Sequence, residues 1–373
     1  MKEDIQNEFT EAQQEVLKSI RMSRIILPII LGLGVVAYLL WKQYNPEDFA
    51  KIPWTMFTAF WIFASFLLLV IRHLAYATRL RILSDGLFSW RKCIELIFIW
   101  EFSSAVSPTS VGGSAVALFV LSQEKLSTAK TATIVIYSAV LDTIFFISTL
   151  PLMMLVFGTE MIRPNIDGEI SFDAWGYTFI GAYSFMALYG FLFFYGLFIN
   201  PTTIKKVLVS FTRLGFLRRF RHQAIELGND IVVASKELQQ KKWPYHISAF
   251  LATATAWSCR FLLLNCLIIA LAPSTSLAFM DQFRLYARLE TMFVVMAFSP
   301  TPGGAGFAEL VFFGFTNDFI PEKGIALIVA SIWRLFTYYL YLLVGAIIIP
   351  NWLRNVLNQR QQKKASQKKR ETN

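Results

Sequence analysis

Six ionisable side chains stand inside apolar stretches of this chain: Glu101, Asp142, Arg260, Glu290, Glu309 and Arg334. In hydrocarbon a charge must be held by a partner or mark a substrate path, because the bilayer cannot solvate it. Glu309 comes first. It comes three residues after the run Pro302-Gly303-Gly304-Ala305-Gly306, at the expected opening of a helix, where unpaired backbone N–H groups favour a carboxylate or an anionic ligand. Bracing the hairpin and taking part in transport are equally open roles for it. Arg334 lies about ten residues into the last apolar run, near mid-bilayer depth, and needs a carboxylate or a phosphate there. Asp142 is buried as deeply in its own run, and Arg260 with Asn265, Glu101 and Glu290 complete the deep polar set. The expectation is a polar path for a headgroup, centred on Glu309, Arg334, Arg260 and Asp142. Arg284 and Arg288 read as snorkelling toward the outer interface, and His73 and His246 as interfacial residues.

Other chemistries lack their residues. The three histidines are far apart, and no HExxH, GxSxG or Walker A pattern occurs, so neither catalysis nor nucleotide binding is indicated. Cys93, Cys259 and Cys266 sit in apolar context without a CxxC pair and read as small buried hydrophobes. No cofactor and no metal is expected. The net charge of +10 does not indicate nucleic acid, since the basic residues concentrate in loops and at both ends.

The chain repeats itself. Ser107-Pro108-Thr109 followed by Gly112-Gly113 recurs as Ser299-Pro300-Thr301 followed by Gly303-Gly304, 192 residues later. Asp142 lies 34 residues after Pro108, and Arg334 lies 34 residues after Pro300. Duplicated breaks in apolar segments are a transporter mark, because Pro and Gly free backbone groups that lipid cannot satisfy. Gly304 and Gly306 are expected to bring backbone close to backbone or ligand at such a break.

With 55% hydrophobic residues, 35 Phe and a positive mean hydropathy, the chain reads as an all-α polytopic membrane protein. Six spans are expected at about 24–41, 54–77, 130–157, 174–199, 244–272 and 325–349. Two broken segments, 93–122 and 284–320, are each too short for two crossings and read as re-entrant hairpins. Counting Lys and Arg gives four in 1–24, four in 78–92, nine in 200–243 and seven from 351 onward, against two in 42–53, one in 158–173 and none in 273–283. Basic segments face the cytoplasm, which sets the chain N-in and C-in in the inner membrane with hairpins entering from opposite faces. That is an inverted repeat, with halves about 24–157 and 174–350. Residues 1–23 carry an amphipathic pattern suited to the inner leaflet, the loop 200–243 a basic amphipathic one, and 351–373 the composition of a disordered tail. No cleavable signal is expected at the amino terminus.

The run from Pro302 to Glu309, then Ala326, Arg334 and Gly345, resembles the carboxyl-terminal signature of the lysylphosphatidylglycerol synthase transmembrane, flippase-like family. Pro108, Gly112 or Gly113 and Asp142 meet its first-half pattern, while Ser114 and Ala117 stand where relatives carry an acid and an Arg. The resemblance implies re-entrant helices lining a lipid-accessible cavity and movement of a lipid between leaflets. The soluble aminoacyltransferase domain of some relatives is expected to be missing, and with it the synthesis of lysyl-phosphatidylglycerol.

The leading expectation is therefore a translocase, not an enzyme, for an anionic or phosphate-bearing lipid or polyprenyl lipid. An ion-coupled carrier of a small anion, using Glu309 or Asp142 as a proton site, is the alternative within transport. A scaffold for envelope-lipid synthesis is the alternative outside it. A homodimer is left open.

Overall fold

The computed structural model describes residues 50–106, 110–124, 126–161, 174–213, 221–297 and 306–371, together with Glu47, Arg218, Ser299 and Gly304. The expected helix at 1–23, the span at 24–41 and residues Pro108, Pro300, Pro302 and Gly303 lie outside the described residues.

The first described helix, α1, Met56–Leu83, shows why the chain suits lipid. Its outward positions are apolar, with Phe60 59% and Phe63 64% exposed, while Ser65, Arg72, His73 and Arg79 are buried. That arrangement would be inverted in water and is the expected one in hydrocarbon, where polar groups gain by facing the bundle. Among the described residues there is no strand, and five helices are long and apolar enough to cross a membrane: Met56–Leu83, Ala129–Phe157, Tyr177–Phe198, Trp243–Leu271 and Lys323–Val356. The protein is an integral membrane protein.

Both broken segments resolve into helix pairs. The first comprises α2, Trp90–Val106, and α3, Ser110–Ser122, which pack against each other. At ~1.5 Å per residue each is shorter than the hydrocarbon core. After α4, Thr128–Phe157, and α5, Ala174–Phe198, the basic loop folds as two helices, α6, Pro201–Phe211, and α7, Arg221–Gln239. The Ser127 side chain accepts from the Lys130 N–H to start α4, and the Asn200 side chain caps α6 in the same way. Next comes α8, Trp243–Leu271, which packs along α1 more extensively than any other pair of described helices does.

The second pair is α9, Phe279–Met296, with α10, Phe307–Thr316. The last span begins as α11, Lys323–Arg334, passes through a π turn at Leu335–Tyr339 and continues as α12, Leu340–Glu371. Residues 351 to 371, read from composition as disordered, thus prolong the last helix. Lys, Gln and Arg are adequate helix formers, and a helix already nucleated by the span extends at no new nucleation cost.

One apolar cluster joins α8, α9, α10 and α11 through Phe261, Leu264, Met292, Phe312 and Trp333, and a second joins α1, α2, α4 and α7 through Leu80, Leu96, Ile134 and Ile231. The functional groups lie where these clusters leave polar side chains inside.

Candidate functional site

The helical spacing of α1 places Arg72, Tyr76 and Arg79 on one face, at i, i+4 and i+7, turned toward α2, α4 and α8. Arg72 is fully buried. It donates from Nη2 to Glu101 Oε1 at 2.6 Å and from Nη1 to the Tyr341 hydroxyl at 3.0 Å. Arg79 donates from Nη1 to Asp142 Oδ1 at 2.6 Å, and the same oxygen accepts the indole N–H of Trp257 at 2.9 Å. Two carboxylates are thereby held by two arginines of α1.

Arg260 of α8 is held differently. Its Nη2 stands 3.9 Å from Glu101 Oε2, beyond hydrogen-bonding range, and its buried Nε has no hydrogen-bond partner among the described residues. Its guanidinium lies over the rings of Trp257 at 5.0 Å and Phe293 at 5.1 Å, which orient the fork without using its donors. Three guanidiniums, Arg72, Arg79 and Arg260, thus surround two carboxylates, Glu101 and Asp142, and leave one positive charge in surplus.

All of these groups except the fully buried Arg72 line a cavity of about 300 Å³ whose wall includes Tyr76, Arg79, Glu101, Asp142, Trp257 and Arg260. That is the lower end of the range for small-ligand sites, roughly 300–1,000 Å³. A second, mostly apolar cavity of about 520 Å³ lies on another side of α4, lined by Leu141, Ile144, Phe194, Phe198, Trp243 and Phe250 among others. Adjacent residues of one helix, Leu141 and Asp142, therefore face an apolar space and a charged one.

Of the residues expected from sequence, Glu101, Asp142 and Arg260 come together here. Glu309 and Arg334 are not among the residues that line this chamber, and they pair with each other. Arg334 Nε lies 3.3 Å from Glu309 Oε1, and the Arg334 guanidinium sits 4.2 Å from the centroid of the Tyr338 ring. The π turn that follows Arg334 supplies Tyr338, an insertion common at functional sites. Gly306, at φ 79°, caps α10, and its N–H donates to Glu309 Oε2 at 2.8 Å. A Cβ at Gly306 would meet nothing within 4 Å, and one at Gly304 only ordinary contacts, so among the described residues no close backbone approach is seen at these glycines, and their positive φ is what favours glycine.

Glu290 is fully buried against Thr149 of α4. Two interfacial readings are also corrected. Arg288 is buried and donates from Nη1 to both oxygens of Asp318, at 2.7 and 2.6 Å, because the chain after α10 returns a carboxylate to its level. His73 is buried between the Ile94 carbonyl and the Tyr341 hydroxyl, at 3.2 and 3.3 Å. Cys93, Cys259 and Cys266 are free and buried, as expected. Arg72 and Arg79 are the site residues that sequence reasoning missed. Their common helical face with Tyr76 was visible, but a span drawn to end at 77 turns Arg79 into a loop charge.

The model of the family described as "Lysylphosphatidylglycerol synthase TM region" matches residues 25–345. A protein of Archaeoglobus fulgidus described as a UPF0104 membrane protein is 24% identical over 349 residues, covering 87% of this chain and 95% of its own length. No solved structure gives a significant match.

Proposed function

Because this chain belongs to the lysylphosphatidylglycerol synthase transmembrane family, we propose that it moves an anionic or phosphate-bearing lipid between leaflets, with the headgroup passing through the chamber at Arg260 and Arg79. The observation that carries the reading is Arg260 on the cavity wall, its Nη2 beyond hydrogen-bonding range of Glu101, the carboxylate that Arg72 already holds. A guanidinium is planar, permanently charged and weakly hydrated, and its parallel N–H donors match the oxygens of a phosphate. The apolar cavity across α4 offers acyl chains a place near the headgroup.

In this reading the pairs α2–α3 and α9–α10 are re-entrant hairpins from opposite faces, and the halves form an inverted repeat. Three observations support it. The helices of both pairs are short, α1 and α8 pack against each other as repeat counterparts around a shared axis would, and the register counterparts Asp142 and Arg334 each sit in an ion pair. The basic helices α6 and α7 then lie on the cytoplasmic side, with the chain N-in and C-in in the inner membrane. The chain transports and does not catalyse.

The test is the lipid that copurifies. Mass spectrometry of the purified protein should find an acidic phospholipid or polyprenyl phosphate enriched over the host membrane, and the enrichment should fall in Arg260→Gln. A lipid profile equal to that of the bulk membrane in both proteins would remove the reading.

A further inference from the structure

Glu290 is fully buried on α9, and its Oε2 has no hydrogen-bond partner among the described residues. It appears in no ion pair of the described residues, unlike Glu101, Asp142 and Glu309, each of which faces an arginine. The phenols of Tyr183 on α5 and Tyr286 on α9 interact with it electrostatically, and Arg260 of α8, which lies 5.1 Å from the Phe293 ring one turn further along α9, makes no ion pair with it among the described residues. A carboxylate without a cation is the costliest group to keep in such an interior, whereas the neutral acid is far cheaper.

Hydrogen counting accommodates the same state. The Thr149 hydroxyl reaches two oxygens, the Phe145 carbonyl at 2.7 Å and Glu290 Oε1. It has one hydrogen. If that hydrogen goes to the Phe145 carbonyl, the one on the second bond comes from Glu290, as a carboxylic acid donating to the Thr149 oxygen. Loss of the proton to water leaves a carboxylate that only accepts, and the Thr149 hydroxyl must then turn from Phe145 to Glu290. Thr149 is seven residues beyond Asp142 on α4, two turns along the same face, so the helix that reads the proton also lines the headgroup chamber.

We propose that Glu290 is a proton-binding site and that its exchange of a proton through Thr149 and α4 couples proton movement to headgroup passage. The coupling rests on the chamber reading given above; the proton site does not.

The experiment takes the full chain in phosphatidylglycerol vesicles and compares wild type with Glu290→Gln, an isostere that keeps a donor and an acceptor for Thr149. Infrared spectroscopy at neutral pH should show a protonated carboxyl C=O band that disappears in Glu290→Gln. Translocation of a fluorescent phosphatidylglycerol analogue should change severalfold with an imposed pH gradient in wild type and be flat in the variant. No such band in wild type, or a band unchanged by the substitution, overturns the proton site. A band lost in the variant, with equal gradient dependence in both proteins, overturns the coupling. A band lost in the variant, with no translocation by wild type, keeps the proton site and overturns both the coupling and the chamber reading. Should Glu290→Gln misfold, Thr149→Val must shift the band and reduce the gradient response; an unshifted band overturns the proton site.

Discussion

Arg334 Nε lies 3.3 Å from one oxygen of Glu309, whose other oxygen accepts the Gly306 N–H at 2.8 Å. One carboxylate therefore caps a short helix and neutralises an arginine, and neither task calls on a ligand. Removing it alone takes the carboxylate from a buried arginine, at a cost of up to roughly 3–5 kcal/mol. Glu309→Gln should lower the melting temperature markedly, and Glu309→Gln with Arg334→Met should recover much of the loss. Equal destabilisation by the single and double variants would mean that the pair is not the source of the effect.

Gly345 of α12 is fixed by packing. A Cβ there would lie 2.4 Å from Phe102 Cδ2 and 2.6 Å from Phe102 Cβ, too close for the ring to yield by rotation. Small residues at such crossings let membrane helices approach. Gly345→Ala should cost about 1–3 kcal/mol by overpacking, and less when made in a Phe102→Ala background, where the ring is gone and only the Cβ remains. Thermal melting of the three variants in detergent checks this; a neutral Gly345→Ala would place the helices farther apart.

Gly306 differs, because its cost is conformational. At φ 79° with open space around a Cβ, Gly306→Val should lose about 1–2 kcal/mol and Gly306→Asn less, since Asn tolerates the left-handed region. Equal melting of the two variants would contradict that account.

A pH dependence follows from Asp85, between α1 and α2. Burial raises its carboxyl pKa, but the hydrogen bonds from Lys130 and Lys241, at 2.6 and 2.7 Å, outweigh it and hold the pKa below the ordinary carboxylate value. A depressed folded-state pKa gives stability that is complete above the unfolded value and lost as pH falls through the folded one. Asp85→Asn should flatten the decline in melting temperature in acid, below the usual carboxylate range, and leave neutral behaviour less stable than wild type. A decline of unchanged slope would assign the acid sensitivity to other groups.

How much of this was legible depends on the residue. The described spans and both helix pairs follow from apolar length and from the Pro and Gly punctuation, and Glu309 was found because a carboxylate after a glycine run has helix N–H groups to meet. Arg72 and Arg79 were not, because a charge near the end of an apolar run looks the same in sequence whether it faces headgroups or the bundle. The partner decides, and Glu101 and Asp142 lie 29 and 63 residues away. Arg288 fails for the same reason, since Asp318 reaches it only once α9 and α10 pack together. Which of the deep charges meet depends on the packing angles of the helices, which no local pattern encodes.

The central claim is that the spare donors of Arg260 meet a lipid headgroup. The direct measurement is translocation of a fluorescent phosphatidylglycerol analogue in reconstituted vesicles by wild type and Arg260→Gln, with melting temperature measured alongside. Hydrogen bonds to charged groups are worth about 1.5–3 kcal/mol each, so loss of the guanidinium should slow anionic lipid roughly ten- to hundredfold while stability changes little. Transport at the wild-type rate by a stably folded Arg260→Gln would contradict the account.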